Sequence, residues 1–511
     1  MISHLHFGRL FFVQQSRGSL LLATTYLATG GSADAFLLLP NSTPFKSTKF
    51  LKMSHSTSSI IPPIARREED RVVYAGVLPS NPDELIRQAN DSTEKLLDPA
   101  IKIPDPYGWL RDDERKDPEI IQYLEAENEY SAAVTSHLKP LQDDLYREFL
   151  SSIQETDYTT PRPHKNYWYY TRTYEGKSYI TYCRAPKTTD GFDAKNWDGS
   201  KEKDVLLGEF TYLDVNELAE GKAYCNVGSV SVSPSHKFVA YSVDFLGDEK
   251  YELHVRDLES GKDVVFEKVG DTCKEGEEES NLLEIDDFVW GKDDDTLYYV
   301  TMYDQHRPYR LHQRRNWQAP TPVDTLLKEE LDDLYWCSVS KSLDDTCIFF
   351  DIVTKETSEI WFLATETESA AQLKCVAPRR NKVLYEVEHG NGQWFIVTNV
   401  DNSPNMKFMR SPAVENSAAK WTLVMDSQGS SIFDGSITKA FDSVTVLDTH
   451  LILEGREAGI PRVWVYDITS KMNKRLEFDE AAYDVGLGAH YESDAKSIVV
   501  SYDSIVSSIV N

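Results

Sequence analysis

The chain has 511 residues, enough for two or three ordinary domains or one large repeat array with extras, and at 41% hydrophobic it can bury a real core. Its formal net charge of −29 argues against a nucleic-acid partner, because phosphate contacts need a basic surface; it reads instead as a solvated acidic exterior or as a field that steers basic peptides. The six cysteines (183, 225, 273, 337, 347 and 375) make no Cys-x-x-Cys and have no zinc spacing with histidine, and those at 183, 337, 347 and 375 sit in apolar strand-like runs as buried free thiols.

Residues 1–53 form a leader or extension rather than part of a fold. Arg9 and Arg17 precede the apolar run Ser19-Leu20-Leu21-Leu22-Ala23, and Ala33-Asp34-Ala35 follows as a small-residue cleavage site. The run is too short for a secure membrane span. Ala33-Asp34-Ala35-Phe36, with the Ser/Thr/Lys-rich stretch after it, is similar to plastid-targeting leaders, whereas a start at Met53 gives a cytoplasmic protein. Asn41 and Asn90 are formal glycosylation acceptors on a secretory route only.

Residues 54–160 read as an arm with amphipathic helices. A charged Arg66-Arg67-Glu68-Glu69-Asp70 and a short helix precede residue 100. Pro118 and Glu119 then suit a helix first turn, and Ile120, Ile121 and Leu124 follow at helical spacing. Pro140 breaks the run, and a second helix over 141–153 sets Leu141, Leu145, Phe149 and Ile153 four apart. Such a pair is not stable alone and needs a partner surface.

From residue 161 the chain reads as β-structure to its end. In residues 229–266 the turn Ser235-His236-Lys237 precedes the strand Phe238-Val239-Ala240-Tyr241-Ser242-Val243, and Gly247-Asp248-Glu249-Lys250 precedes the alternating Tyr251-Glu252-Leu253-His254-Val255-Arg256-Asp257. The pattern recurs near 166–208, 288–327, 335–377, 385–425, 443–478 and 485–511. Four-strand units at roughly 40–60 residue spacing predict a mainly β fold, a seven-bladed β-propeller over 161–511 with its last blade incomplete; a pair of β-sandwiches is the alternative.

No catalytic constellation stands out. Gly30-Gly31-Ser32-Ala33-Asp34 holds a serine among glycines, but it follows a leader-like run and lacks the strand and helix of a nucleophile elbow. The histidines are scattered, and His254 and His312 sit in alternating strands as ordinary propeller positions. Neither a Walker loop nor a dinucleotide fingerprint is present, and the acid runs at 275–279 and 293–295 lack calcium-loop spacing. Catalytic, cofactor-binding and metal residues are therefore all read as none. Carboxylate pairs of the kind propeller glycosidases use are too many to choose between.

Several segments in order resemble the prolyl oligopeptidase family of serine peptidases, most nearly the oligopeptidase B type. They are Pro106-Tyr107-Gly108-Trp109-Leu110-Arg111-Asp112-Asp113, Tyr123-Leu124-Glu125-Ala126-Glu127-Asn128-Glu129-Tyr130, Asp286-Asp287-Phe288-Val289-Trp290, His306-Arg307-Pro308-Tyr309, Pro378-Arg379-Arg380 and Leu453-Glu454-Gly455-Arg456-Glu457-Ala458-Gly459. The resemblance implies an N-terminal helical arm, a propeller that restricts access to short peptides, and a C-terminal α/β-hydrolase domain with a Ser-Asp-His triad cleaving after Arg or Lys. The chain ends inside the last expected blade, so the hydrolase domain and its triad are expected to be absent, and the 511 residues inactive alone. The expectation is the N-terminal propeller part of a serine-type oligopeptidase whose intact form takes short basic peptides, with no cofactor. The alternative is a stand-alone propeller that binds other proteins, against which stands the lone Trp197-Asp198.

Overall fold

The computed structural model describes residues 61–75, 101–112, 115–187, 206–268, 282–303, 306–365, 373–413 and 420–505. The leader with Ser32, Asn41, Asn90, Cys273, the 275–279 acid run and Trp197-Asp198 lie outside these residues. The short helix read before residue 100 has no counterpart in 61–75, and 76–100 lies outside the described residues. The chain divides into two compact units: one ends at Gln154 and the other runs on from Glu155.

In the first of these, Val72–Ala75 pairs antiparallel with Ile101–Pro104, a strand pair that the sequence reading passed over. Helix α1 (Pro118–Thr135) starts where Asp117 accepts the Glu119 N–H through its side chain, with Pro118 in the first turn. A 3₁₀ turn, Ser136–Leu138, leads into α2 (Lys139–Ser151), which has Pro140 in its own first turn. Pro140 thus opens the second helix, because a missing N–H is harmless there. Trp109 anchors the arm's leader: its indole donates to the Arg66 carbonyl at 2.7 Å, the Arg66 guanidinium lies 4.6 Å over its ring, and Arg66 also pairs with Glu119 at 2.9 Å. On α2 and just beyond it, Leu141, Leu145, Phe149 and Ile153 are 56, 40, 52 and 47% exposed, so this apolar stripe is left uncovered.

From Glu155 on, antiparallel sheet units follow one another. Among the described residues the first holds Asp157–Tyr158, Arg162–His164, Tyr167–Thr173, Thr181–Pro186 and Phe210–Asp214. The second is Asn226–Val232, Phe238–Asp244, Tyr251–Asp257 and Asp263–Val265, with Leu253 opposite Ser242 and Val255 opposite both Ala240 and Val264. A third begins at Glu284–Trp290, and Tyr251 pairs with Ile285 there, which joins units two and three into one eight-stranded sheet. Units four, five and six begin at Trp336–Lys341, Tyr385–Gly390 and Lys439–Val446 and are separate four-stranded sheets. The last contributes Asp484–Leu487 and Val500–Asp503.

The middle strands are apolar on both faces because each sheet is covered on both. Along Phe238–Asp244, Ala240 enters a cluster with Leu253, Val255 and Trp290, while Val239, Tyr241 and Val243 enter another with Tyr169, Tyr212 and Leu213. Cys347–Val353 does the same: Ile348, Phe350 and Ile352 pack toward the third unit, Cys347 and Phe349 toward the fifth. Each such aromatic contributes roughly 1.5–3 kcal/mol by burial. Cys183, Cys337 and Cys347 are buried free thiols as read, and Cys375 is half-buried. Turns at His236 and Asp345 take left-handed backbone (φ 64° and 59°) without glycine.

Candidate functional site

The first strand of a unit lies at its sheet edge, except in unit three, where the start of Glu284–Trp290 pairs with Tyr251–Asp257, and first strands pack against one another, as Asn226–Val232 does on Glu284–Trp290 and Tyr385–Gly390 on Lys439–Val446. This hub carries polar groups that a buried sheet edge does not need. Asp287 follows a bulge in its strand, and its Oδ1 accepts the Phe288 N–H at 2.8 Å and the Ser229 hydroxyl at 3.4 Å. Burial, and then the neighbouring charge of Asp286, push its carboxyl up to about 7. Asp442 in the first strand of the sixth unit is by contrast exposed, with the Arg456 guanidinium 3.8 Å away. Glu454 accepts the Ser443 hydroxyl at 2.9 Å and the Leu487 N–H at 2.8 Å, and so ties the sixth unit to the last.

A serine–aspartate–histidine grouping joins units four and five, and its geometry is structural. Ser342 and Thr346 each donate to Asp344 Oδ1 at 2.7 Å, and His389 Nδ1 lies 2.7 Å from Asp344 Oδ2 and 2.8 Å from the Thr346 hydroxyl. Ser342 meets the carboxylate rather than the ring, and the one hydroxyl beside the imidazole, that of Thr346, shares Nδ1 with Asp344 and itself donates to that carboxylate, so the arrangement is not the serine–histidine–aspartate relay of a nucleophile. The group straps unit four to unit five, with the His389 ring edge-on to Trp394 at 5.2 Å. Burial works against the Asp344 charge, yet hydrogen bonds from His389, Thr346 and Ser342 outweigh it and bring the carboxyl down to about 2. Asp344→Ala is expected to cost about 1–3 kcal/mol, read as a lower urea midpoint. His254 contacts Glu252 at 3.0 Å, and His312 stacks on Tyr299 with ring centroids 5.3 Å apart, as their strand positions imply. No group of three or more metal-binding side chains occurs among the described residues, and none of their helices is long and apolar enough to cross a membrane.

The motif segments prove to be struts. Trp290, 1% exposed, donates its indole N–H to the Ser231 carbonyl at 3.0 Å across to the second unit. Residues 330–335, which connect units three and four, are gripped from both sides. Arg307 donates to the carbonyls of Glu330, Asp332 and Tyr335 at 3.1, 3.1 and 2.9 Å. Arg379 bonds the Glu330 carboxylate, reaches Glu359 at 3.3 Å, and lies 4.2 Å over the Tyr335 ring. Gly455 has to be glycine: a Cβ there would stand 2.4 Å from the Ala440 carbonyl oxygen.

Comparison with known proteins agrees with this architecture. The family model for the prolyl oligopeptidase N-terminal β-propeller domain matches residues 87–507. Dipeptidyl aminopeptidase BI of Pseudoxanthomonas mexicana is 32% identical over 78% of this chain and 52% of its own length; Protease 2 of Moraxella lacunata is 26% identical over 79% and 53%. The chain thus spans about half the length of the curated relatives it matches. Oligopeptidase B from Leishmania major superposes with a TM-score of 0.71 at 27% identity, covering 87% of this chain and 57% of that one. The Trypanosoma brucei enzyme, in a closed form with covalently bound antipain, gives 0.70 at 27% identity with the same coverage. Mainly β, with its two long described helices in an N-terminal arm and repeating antiparallel sheet units after it, the chain belongs to the prolyl oligopeptidase family, close to oligopeptidase B, as its N-terminal β-propeller part.

Proposed function

We propose that the chain is the substrate-gating part of a serine peptidase that cleaves short peptides after Arg or Lys. The observation that carries this is the match to oligopeptidase B structures at 27% identity over 57% of their length. In this reading 1–53 is a leader, 54–160 the arm, and 161–511 a seven-bladed ring. A hydrolase half supplies the nucleophile, and none of the residues described above is catalytic. The uncovered stripe Leu141, Leu145, Phe149 and Ile153 is the seat of that half, and the net charge of −29 favours approach of basic peptides.

The test compares the 511-residue chain with the same chain fused to the hydrolase half of the Leishmania major enzyme. Blocked fluorogenic peptides ending in Arg, Lys or Pro serve as substrates. The fusion is expected to cleave Arg and Lys substrates at least about 100-fold faster than Pro, and the 511-residue chain not at all. A fusion preferring Pro, or activity in the 511-residue chain, overturns the assignment. The 32% identity to a protein named dipeptidyl aminopeptidase favours a second reading, release of dipeptides from a free N-terminus. Loss of cleavage on blocking that terminus selects it. Gating predicts that octapeptides are cut and a 40-residue substrate is not.

A further inference from the structure

Where the first sheet unit meets the last, backbone pairing stops. Among the described residues no strand of the first sheet pairs with one of the last; units two and three alone share a sheet. Side chains make the joint instead. Arg162 donates to the Ala489 carbonyl at 2.8 Å, the Lys165 N–H bonds Glu492, and Lys187 lies 3.9 Å from Glu492. The His164 ring stacks on Tyr491 at 5.2 Å.

Behind that stack stands a second imidazole. His236, 5% exposed in its left-handed turn, meets His164 edge-on with centroids only 4.6 Å apart. Its Nδ1 lies 2.7 Å from the Tyr169 hydroxyl, its Nε2 is buried with no hydrogen-bond partner, and Tyr167 packs at 5.3 Å. The surrounding charges favour the neutral rings. Lys165 faces both histidines, Lys341 faces His164, and Arg184 donates to the His236 carbonyl at 2.6 Å. Asp345 toward His164 and Asp294 toward His236 act in the opposite sense. From the last unit, Arg162's neighbour His490 is itself depressed by burial.

We propose that His164 and His236 form an acid-operated latch on this joint, which holds while both rings are neutral and opens when either is protonated. A cation on one ring faces the other ring at close range with Lys165 near both, and hydration of His236, 5% exposed, requires its cover of His164 and Tyr491 to move. Burial, first, lowers His164 to about 3 and His236 to about 4, against 6.5 for the free side chain. The sign follows: the latch has its full strength above about pH 6.5 and weakens as pH falls toward those lower values, because the open form binds more protons. Each histidine then raises the opening equilibrium about tenfold per pH unit, or on the order of 30-fold at pH 5.

Hydrogen exchange of the 511-residue chain at pH 7.5, 6 and 5, with labelling times scaled for intrinsic chemistry, reads this directly. Peptides covering residues 162–168 and 486–492 are expected to exchange at least about 30-fold faster at pH 5, while Cys347–Val353 inside the fourth unit stays unchanged. Equal loss in that strand, or no loss at the joint, overturns the latch. A His164→Phe, His236→Gln variant keeps the stack on Tyr491 and an amide for Tyr169 but has no proton to gain. Its joint is expected to stay protected at pH 5, and wild-type-like loss in it overturns the proposal. Should the variant fail to fold, the contrast between joint and reference strand in the wild type decides alone.

Discussion

Asp324→Ala is expected to cost about 3–5 kcal/mol, the effect of stranding one member of a buried ion pair. Arg314 and Asp324 lie opposite each other in the third unit, with side chains only 2 and 1% exposed. Two parallel bonds of 2.6 Å join guanidinium to carboxylate, Arg314 also donates to the Glu267 carbonyl at 2.8 Å, and the Phe266 ring lies 4.5 Å beneath it. Burial acts to lower the Arg314 pKa and the Asp324 hydrogen bonds raise it; with Asp324 gone, the guanidinium still remains charged because its intrinsic pKa is too high for burial to neutralise. In the folded protein the Arg314 side chain is only 2% exposed, so the bare cation is left with little contact with water. The readout is the urea midpoint followed by tryptophan fluorescence, with Trp290 and Trp317 in the adjoining cluster as reporters. Arg314→Met with Asp324→Leu is expected to recover most of the loss, because an apolar pair of similar volume removes the desolvation problem as well as the attraction. A cost below about 1 kcal/mol in the single variant would mean that the pair is hydrated, as exposed pairs are.

The strands were legible because turn residues punctuate them and because strand interiors are apolar. The expected 229–266 unit is the observed second sheet, shifted by a few residues at its first strand. Period-two alternation alone was a poor guide in the middle strands: Phe238–Asp244 is buried at nearly every position, since both faces of its sheet are covered. His236 reads as a polar turn residue, and nothing local indicates that Tyr169 of the preceding unit will cover it. Arg307, Arg379 and Asp324 were visible as residues but not as clamps. Their partners lie 10 to 49 positions away, across turns whose register the sequence does not specify. The joining of units two and three rests on two residue pairs at a strand end, which composition does not mark. The hub carboxyls were similarly indistinct, because acidic residues abound and only the ring of first strands separates Asp287 from a surface aspartate.

Arg379→Met is expected to cost about 3 kcal/mol at pH 7 and progressively less as the solution is acidified to pH 5. Methionine keeps an apolar stem against Tyr335 but leaves the Glu330 and Glu359 side chains, 10 and 11% exposed, facing each other without their shared cation. In the wild type, burial opposes ionisation of Glu359, yet the hydrogen bonds from Arg379 outweigh it and hold the carboxyl below its ordinary 4.5. A depressed carboxyl contributes stability that is present above its unfolded value and lost as pH falls through the folded one, so the wild-type clamp is intact throughout pH 5–7. Without the Arg379 guanidinium, burial is opposed only by the N–H of residue 379 and the Trp361 indole on Glu359 and by the Asp332 N–H on Glu330, so the carboxyls move up from their wild-type values and protonation as the pH falls relieves the folded state. The difference in thermal midpoint between the two proteins should therefore narrow from pH 7 to 5, whatever the joint histidines do, because the same histidines titrate in both. A gap that stays constant over that range would show that Glu330 and Glu359 find water once the arginine is gone, and the connection at 330–335 would then be held by Arg307 through backbone carbonyls alone.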